Sequence, residues 1–261
     1  MSLTLQPAAT AMVKPAIGFL SIAAHAFNEE QGIAGTVTEW LDHLRQSGGI
    51  GEFEVVVCND GSRDTTGEVL DHLARRAPEV RPIHLDRNRG AAVALSTAIR
   101  HTRGDWVLLI DSDGQFPIAN LDKLMAAVDR DGALAAIGVR TEKRDSLFAR
   151  FGSWSSGAIC NWLHGTHCRD FNSALKLVDG ALLRSLHLEA RGLNYSTEVT
   201  SKLLERGVRL VEAEIEHVPR TAGKSSLRAL RGAIDRLLFV SYIGLRQLLL
   251  RLRILEARPL C

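Results

Sequence analysis

Residues 106–115 carry the sequence WVLLIDSDGQ, in which five apolar residues pass directly into a polar loop. An apolar run of this length, ended by a turn-forming segment, predicts a strand that is buried on both faces. The loop places Asp111 and Asp113 on alternate positions and follows them with the amide of Gln115. Oxygen ligands of these types can converge on one hard cation, so the stretch predicts a Mg²⁺ or Mn²⁺ site at the end of the strand.

The same loop has a simpler interpretation, a solvated turn in which the aspartates cap the helix that follows. Two aspartates separated by one residue are common in proteins, so the motif alone does not decide between the two. The choice between a metal site and a solvated turn therefore depends on the residues in the neighbouring loops.

A strand followed by a helix is predicted four times in the first half of the chain. The strands are expected at residues 17–24, 53–58, 81–85 and 106–110, and the helices at residues 33–44, 65–74, 91–100 and 121–128. This alternation predicts an α/β fold with a mostly parallel sheet and helices on both faces. The second half is less regular, with strands expected at residues 135–139 and 208–214 and a helix at residues 146–164.

Polar residues follow each of the first three strands as well as the fourth. They are Asn28, Glu29 and Glu30, then Asn59, Asp60, Gly61 and Ser62, then Asn88 and Gly90. Ligands of open parallel sheets gather beyond the carboxyl ends of the strands, so we expect these loops to meet at one edge. Asp60 could accept hydrogen bonds from a nucleobase and a ribose, although a turn with a helix cap also fits these residue types.

The composition limits the class of protein. With 261 residues, 46% of them hydrophobic, the chain can bury one catalytic-sized core. The formal net charge of only +2 argues against nucleic acid as the partner. Four cysteines without a paired CxxC spacing, and no secretory pattern at the start, predict a reduced, cytoplasmic setting.

Three segments are expected along the chain, an unpatterned tail at residues 1–16, a catalytic domain at residues 17–225 and a basic amphipathic appendage at residues 226–261. The appendage has three interpretations. It packs on the catalytic domain, lies peripherally on the inner face of a membrane, or forms a homo-oligomer. On a membrane, its arginines would face anionic headgroups while the apolar residues Leu237, Leu238, Ile243, Leu248 and Leu249 enter the acyl boundary.

Six motifs stand in a fixed order along the chain, namely Ala26-Phe27-Asn28-Glu29-Glu30, Asn59-Asp60-Gly61-Ser62-Arg63-Asp64, Asn88-Arg89-Gly90, Gly104-Asp105 with Asp111-Ser112-Asp113-Gly114-Gln115, Gly138-Val139-Arg140, and Arg220-Thr221-Ala222-Gly223-Lys224-Ser225. Taken in this order, they resemble the family 2 glycosyltransferases over roughly residues 17–226, and are most similar to the polyprenyl-phosphate branch typified by dolichol-phosphate mannosyltransferase. Six motifs in a fixed order are far more specific than any one of them.

The resemblance implies a GT-A fold and an inverting transfer of sugar from a nucleotide diphosphate donor to a polyprenyl phosphate or a soluble hydroxyl acceptor. It implies a Mg²⁺ or Mn²⁺ cofactor on Asp111, Asp113 and Gln115. It implies a donor site formed by Ala26, Phe27, Glu29, Asp60, Asn88, Ser112 and Arg140, and a catalytic group formed by Asp113, Asp170, Arg220 and Lys224. Asp170 is the candidate base for a hydroxyl acceptor, whereas a lipid phosphate is already ionised and needs none.

Two departures from the family stand out. His25 occupies a position where the family usually has proline, and residues 172–176 replace a Ser-Gly-Phe-Arg-like string of the branch. The second departure bears on the identity of the acceptor. A separate cluster at Cys160, His164, His167 and Cys168 has a spacing conceivable for zinc, but a buried cysteine with a capping histidine is its more ordinary interpretation.

Two other functions compete with sugar transfer. A nucleotidyltransferase that makes sugar nucleotides would be expected to show a glycine-rich, basic phosphate loop after the first strand, and here that loop is acidic. A catalytically silent nucleotide-binding module would retain the sheet without the chemistry. The intact metal-ligand residues argue against it.

Overall fold

The computed structural model describes residues 17–141, 147–190, 194–219, 239, 241–246, 248, 249 and 252. Within these residues, seven strands form one sheet in the order β3-β2-β1-β4-β6-β5-β7. The strands are β1 Ile17–Ala26, β2 Ile50–Asn59, β3 Val80–His84, β4 Trp106–Leu109, β5 Ala135–Arg140, β6 Lys176–Asp179 and β7 Leu210–Ile215. β6 runs antiparallel to both of its neighbours, and the remaining pairs are parallel.

Helices cover both faces of the sheet. One face carries α1 (Ile33–Gln46), α2 (Thr66–Arg76) and α4 (Asn120–Asp131). The other carries α3 (Ala91–His101), α6 (Gly180–Ser185) and α7 (Tyr195–Glu205), and α5 (Leu147–His164) packs beside α7. No helix among the described residues is long and apolar enough to cross a membrane.

The strands are buried on both faces because their apolar residues serve two cores in turn. In β1, Leu20 and Ile22 pack in the core under α1, whereas Ala23 faces α3. In β4, Leu108 and Leu109 divide between the two cores in the same way. This two-residue period explains why the strands of the first half read as unbroken apolar runs.

The four predicted strand–helix pairs and the mostly parallel α/β sheet are confirmed, with ends shifted by up to three residues. The antiparallel strand β6 and the helices α6 and α7 lie outside the predicted elements. β6 is four residues long and begins at Lys176, so it carries no apolar run of strand length. The last strand begins at Leu210 instead of residue 208.

A C-terminal helix segment, by which we mean residues 239, 241–246, 248, 249 and 252, packs beside α5 and α7. Ile243 is 2% exposed and lies in a small core with Phe239, and Arg246 pairs with Glu205 at 2.9 Å. The expectation that Ile243 enters a membrane and that Arg246 faces headgroups is therefore wrong, because Ile243 is buried and Arg246 is held by Glu205. Leu237 and Leu238 lie outside the described residues.

A buried carboxylate joins β1, β2 and the start of β4. The side chain of Glu54 accepts hydrogen bonds from the hydroxyl of Ser21 at 2.7 Å and from the backbone N–H of Arg103 at 2.6 Å, and it pairs with the guanidinium of Arg81. Burial alone would raise the pKa of this carboxyl, but the hydrogen bonds and the charge of Arg81 outweigh burial and hold the pKa below its ordinary value. Glu54 is therefore ionised and stabilises the fold.

We expect Glu54→Gln to lower the free energy of unfolding at neutral pH by about 2–4 kcal/mol, because the ionised acceptor of several buried donors is lost. The folded-state pKa lies below the ordinary value of 4.5, so the stabilisation is complete above that value and is lost as the pH falls through the folded-state pKa. Urea denaturation at several pH values measures the difference in free energy of unfolding between the parent and Glu54→Gln. This difference should become smaller as the pH falls. Arg45→Ala removes an exposed pair with Glu79 and should cost less than about 1 kcal/mol. Equal losses from both variants would contradict the assignment.

Candidate active site

The carboxyl ends of β1, β2, β3, β4, β5 and β7 lie at one edge of the sheet. Because β6 is antiparallel, the residues that precede it, including Asp170, also approach this edge. The predicted convergence of the polar loops is therefore confirmed. The loops after β1 and β2 meet through direct hydrogen bonds, and the acidic loop after β4 bonds to the end of β1.

Asn28 joins the first loop to the second. Its backbone adopts a left-handed conformation with φ of 54°, which asparagine tolerates better than most residues. Its N–H donates to the hydroxyl of Ser62 at 3.0 Å, and its side-chain oxygen accepts from the N–H of Arg63 at 2.9 Å. Beside it, the carboxylate of Glu30 accepts from the N–H of Thr65 at 3.1 Å, next to the first turn of α2. Glu30 thus has a structural role in joining these two loops.

Asp60 is 1% exposed and fixes the loop after β3. Its carboxylate accepts from the side-chain amide of Asn88 at 2.9 Å and from the N–H groups of Arg89 at 2.7 Å and Gly90 at 2.9 Å. Gly61 has φ of 62°, and a Cβ there would lie 2.3 Å from the carbonyl carbon of Arg87. The two loops therefore touch through their backbones, and both carboxylate oxygens of Asp60 are already hydrogen-bonded.

Asp111, Asp113 and Gln115 are half-buried at the end of β4, with the buried Ser112 between the two aspartates. The hydroxyl of Ser112 donates to the carbonyl of His25 at 2.6 Å, which ties the acidic loop to β1. The N–H of Gln115 donates to the carboxylate of Asp113 at 3.1 Å. Two carboxylates and an amide on one short loop form an all-oxygen donor set.

Tyr195, the first residue of α7, reaches this loop and was not among the predicted site residues. Its hydroxyl donates a hydrogen bond to the carboxylate of Asp111. Its ring meets the ring of His25 edge-on, with 5.6 Å between centroids. Burial and the charge of Asp111 raise the pKa of Tyr195 well above its ordinary value, so the hydroxyl keeps its proton and acts as a donor. The sequence offered no motif for this contact, because the two residues are 84 positions apart.

Arg140, the last residue of β5, forms a bidentate ion pair with Asp170 at the same edge of the sheet. The guanidinium donates to both carboxylate oxygens, at 2.8 and 3.0 Å. The side chain of Asp170 is 1% exposed and that of Arg140 is 12% exposed. The geometry matches carboxylate to guanidinium and leaves Asp170 poorly placed to accept a proton from a substrate.

Lys176 is close enough to this pair for the charges of Asp170 and Arg140 to act on it. It is the last residue of the string at residues 172–176, which departs from the family pattern. It is 1% exposed, and its ammonium donates to the hydroxyl of Ser196 at 2.6 Å and to the carbonyl of Ser173. Burial lowers the pKa of Lys176 to about 7, against the opposing effect of Asp170 and Asp111. The string at residues 172–176 therefore places an ionisable amine under the site.

Arg220 and Lys224 lie outside the described residues. The chain that leads to them is fixed at the site, since the N–H of Val218 donates to the carbonyl of Gln115 at 2.9 Å. The side chain of Asn120 also brackets the backbone of Glu216, with hydrogen bonds of 2.9 and 3.0 Å. Val218 precedes Arg220 by two residues, so this segment leaves β7 alongside the acidic loop.

The cysteine and histidine cluster favours the ordinary interpretation. Burial raises the pKa of the Cys160 and Cys168 thiols to about 12, so both remain protonated. His164 stacks on Phe171 with 5.9 Å between ring centroids. Among the described residues, these four side chains do not gather into a group of three or more that could hold a metal ion.

Comparisons with known proteins agree with this geometry. The sequence model of a family described as "Glycosyl transferase family 2" matches residues 21–189. The undecaprenyl-phosphate 4-deoxy-4-formamido-L-arabinose transferase of Edwardsiella ictaluri is 25% identical over 80% of this chain and 63% of that protein. The bactoprenol glucosyl transferase of Shigella phage SfX is 38% identical over 41% of this chain and 34% of that protein. This chain thus spans less than two thirds of the length of either relative.

Among solved structures, the fold is similar to glucosyl-3-phosphoglycerate synthase of Mycobacterium tuberculosis in complex with Mn²⁺, uridine-diphosphate-glucose and phosphoglyceric acid. The TM-score is 0.66, with 19% identity over 88% of this chain and 79% of that chain. The mostly parallel sheet with helices on both faces is therefore the GT-A fold.

We expect Asp60→Asn to lower the free energy of unfolding by about 1–3 kcal/mol, because one acceptor oxygen becomes a donor facing other donors. Asp86→Asn is the matched control, since Asp86 pairs with Arg89 in the same loop with 64% of its side chain exposed. Chemical denaturation of both variants provides the measurement. If the two variants were equally stable, Asp60 would not hold the loop.

Proposed function

The chain belongs to glycosyl transferase family 2, and on this premise we propose that it transfers a sugar, with inversion, from a nucleotide diphosphate sugar to a polyprenyl phosphate. The observation that carries the proposal is the placement of Asp111, Asp113 and Gln115 at the carboxyl end of β4, at the same edge as the Arg140–Asp170 pair two strands away. A donor diphosphate bound at the acidic loop and an acceptor bound beside Arg140 would then lie next to each other at this edge of the sheet. Similarity to polyprenyl-phosphate sugar transferases supports the acceptor.

The acidic loop fits a Mg²⁺ or Mn²⁺ ion. Its donors are all oxygens, as hard cations prefer. Within the described part of the chain, no three His, Cys, Asp or Glu side chains gather as a metal site on their own. Asp111, Asp113 and the amide of Gln115 would therefore share the ion with diphosphate oxygens of the donor. When bound, the ion supplies Lewis-acid stabilisation of charge on the departing nucleotide.

The nucleoside would lie against the loops after β1, β2 and β3. Ala26, Phe27, Glu29 and Asn88 would border this space, and Ser112, whose hydroxyl bonds to the end of β1, would link it to the acidic loop. The hydrogen bonds to Asp60 indicate how this residue would act. Because its carboxylate holds Asn88 and Gly90, Asp60 would shape the pocket for the base and ribose mainly through that loop.

Arg220 and Lys224 would close over the phosphates. Their cationic side chains suit the charge that develops on the leaving nucleotide, and closure would exclude water. The hydrogen bond from Val218 to Gln115 supports this role, because it fixes the residue two positions before Arg220 at the acidic loop.

The Arg140–Asp170 pair favours an ionised acceptor over a hydroxyl. A hydroxyl acceptor needs a carboxylate within hydrogen-bond reach to remove its proton. Both oxygens of Asp170 accept from Arg140, and this side chain is 1% exposed. A phosphate acceptor needs no such base, so Asp170 would orient Arg140, which in turn would face the donor sugar or the acceptor.

The experiment that tests the function supplies the protein with a panel of nucleotide diphosphate sugars, Mn²⁺ or Mg²⁺, and a polyprenyl phosphate in detergent, and detects lipid-linked sugar by mass spectrometry. We expect transfer from at least one donor, and none after chelation of the metal. If sugar were transferred only to soluble hydroxyl compounds, the proposal of a lipid acceptor would be replaced by that of a hydroxyl acceptor. Tight nucleotide binding without any transfer would favour a silent binding module.

We expect Asp113→Ala to abolish transfer with little loss of stability, because Asp113 is half-buried on a loop. Asp111→Ala should also abolish transfer but cost about 1–3 kcal/mol, since it leaves the buried hydroxyl of Tyr195 without its acceptor. Turnover, Mn²⁺ affinity by electron paramagnetic resonance, and thermal melting are measured together. Asp122→Ala, at an exposed pair with His43, is the control and should change none of them. Full turnover by Asp113→Ala would refute the metal assignment.

A further inference from the structure

Large exposed hydrophobic side chains concentrate on two helical segments. Among the described side chains, those exposed are Leu134, Trp154, Ile159, Trp162, Tyr242, Leu245, Leu248 and Leu252. All except Leu134 lie on α5 or on the C-terminal helix segment. Trp162 is 75% exposed and Trp154 is 66% exposed, which is unusual for the largest apolar side chain in proteins.

The two segments pack against each other and so present one surface. Leu163 of α5 and Ile243 share a small core with Phe171. A Cβ built at Gly244 would lie 3.7 Å from the side chain of Leu163. We call the exposed side chains of α5 and the C-terminal helix segment the apolar face.

From Trp154 to its end at His164, α5 carries no Asp, Glu, Lys or Arg, whereas Arg150 lies one turn before Trp154. Trp154, Ala158 and Trp162 recur every four residues, which places them along one stripe of the helix, and all three are exposed. Residues 151–168 include no Asp, Glu, Lys or Arg. A helix that faces only water normally carries charged residues on its outer side, so this composition indicates that something covers it.

The inner side of α5 touches the acceptor half of the site. The side chain of Asn172 donates to the hydroxyl of Ser156 at 2.9 Å, and Gly157 lies against Phe171. Phe171 directly follows Asp170, the partner of Arg140. The apolar face and the Arg140–Asp170 pair are therefore separated by about one helix diameter, roughly 10 Å.

We propose that the apolar face docks on an anionic lipid bilayer, with Trp154 and Trp162 in its interfacial layer and Leu245, Leu248 and Leu252 against the acyl boundary. Trp prefers this layer because its ring is apolar and its N–H is polar. Charge supports the bilayer over a second copy of the chain, because residues 226–255 contain five Arg besides Arg246, which pairs with Glu205, and a single acidic residue, an aspartate at position 235. The inference that docking serves a lipid acceptor rests on the proposed function.

Docking would place the Arg140–Asp170 pair near the level of the lipid phosphates. A polyprenyl phosphate carries its reactive group at that level, with its chain in the membrane. The acceptor could then reach the site without leaving the bilayer. The surface thus explains how a chain whose described helices do not cross a membrane could use a lipid acceptor.

Intrinsic fluorescence provides the test, because the chain has four Trp residues and one of the other two, Trp40, is 1% exposed. The full chain is mixed with phosphatidylglycerol vesicles that contain brominated lipids. We expect quenching of the emission, and a partition coefficient about tenfold or more lower for the double variant Trp154→Gln/Trp162→Gln. Leu134→Gln, at an exposed residue outside the apolar face, is the control and should bind as the parent does.

Transfer assays separate docking from function. With a water-soluble short-chain prenyl phosphate, the double variant should match the parent, whereas with a long-chain acceptor in vesicles its KM should rise about tenfold. Unchanged vesicle binding by the double variant would overturn the docking surface. If the parent were a dimer in sedimentation velocity, the double variant were a monomer, and the parent did not bind vesicles, the apolar face would instead be an interface with a second copy of the chain. Quenching as expected with no transfer to any prenyl phosphate would uphold docking and refute the proposed function.

Discussion

The parallel pairing of β1 with β2 on one side and β4 on the other is the constraint on which the site depends. The register sets Ala26 beside Asn59 and Ala23 beside Leu109. The chain therefore leaves β1 and β2 at the same level and β4 three residues earlier, so that Asp60 follows β2 directly and Asp111 follows β4 after Ile110. Backbone hydrogen bonding and burial on two faces fix this register, so the polar loops inherit their positions from an apolar core.

The two sides of the site differ in how much of them the sequence predicts. On the side proposed for the donor, Asp60 and Asp111 come within two residues of the end of an apolar strand, so strand prediction also locates them. On the side proposed for the acceptor, β6 is short, begins with the charged Lys176 and runs in the opposite direction, so neither its existence nor its neighbours follow from periodicity. Tyr195 is a tertiary contact between α7 and the acidic loop, and a single sequence holds no local signal for it.

The hydrogen-bond partners of Asp60 and Asp170 indicate positioning roles, whereas the sequence predicted direct contact with a substrate. Asp60 and Asp170 have the residue type expected of groups that contact a substrate. Both are almost fully buried, and each holds another part of the protein, Asp60 the Asn88–Gly90 loop and Asp170 the guanidinium of Arg140. A motif identifies residues that a site requires, but burial and hydrogen bonds decide whether they touch the ligand or position a neighbour that does.

The hydrogen bonds accepted by Asp60 have a consequence for natural variation. Two of the three come from backbone N–H groups, those of Arg89 and Gly90. The side chain at position 89 therefore contributes nothing to this contact, and most amino acids can replace Arg89 without disturbing it. Proline is the exception, because it has no N–H to donate. Gly90 has φ of 93°, so side chains are disfavoured there for a different reason. The contact with Asp60 thus limits change in this loop through backbone chemistry, whereas the side chain of Arg89 is held separately by its exposed pair with Asp86.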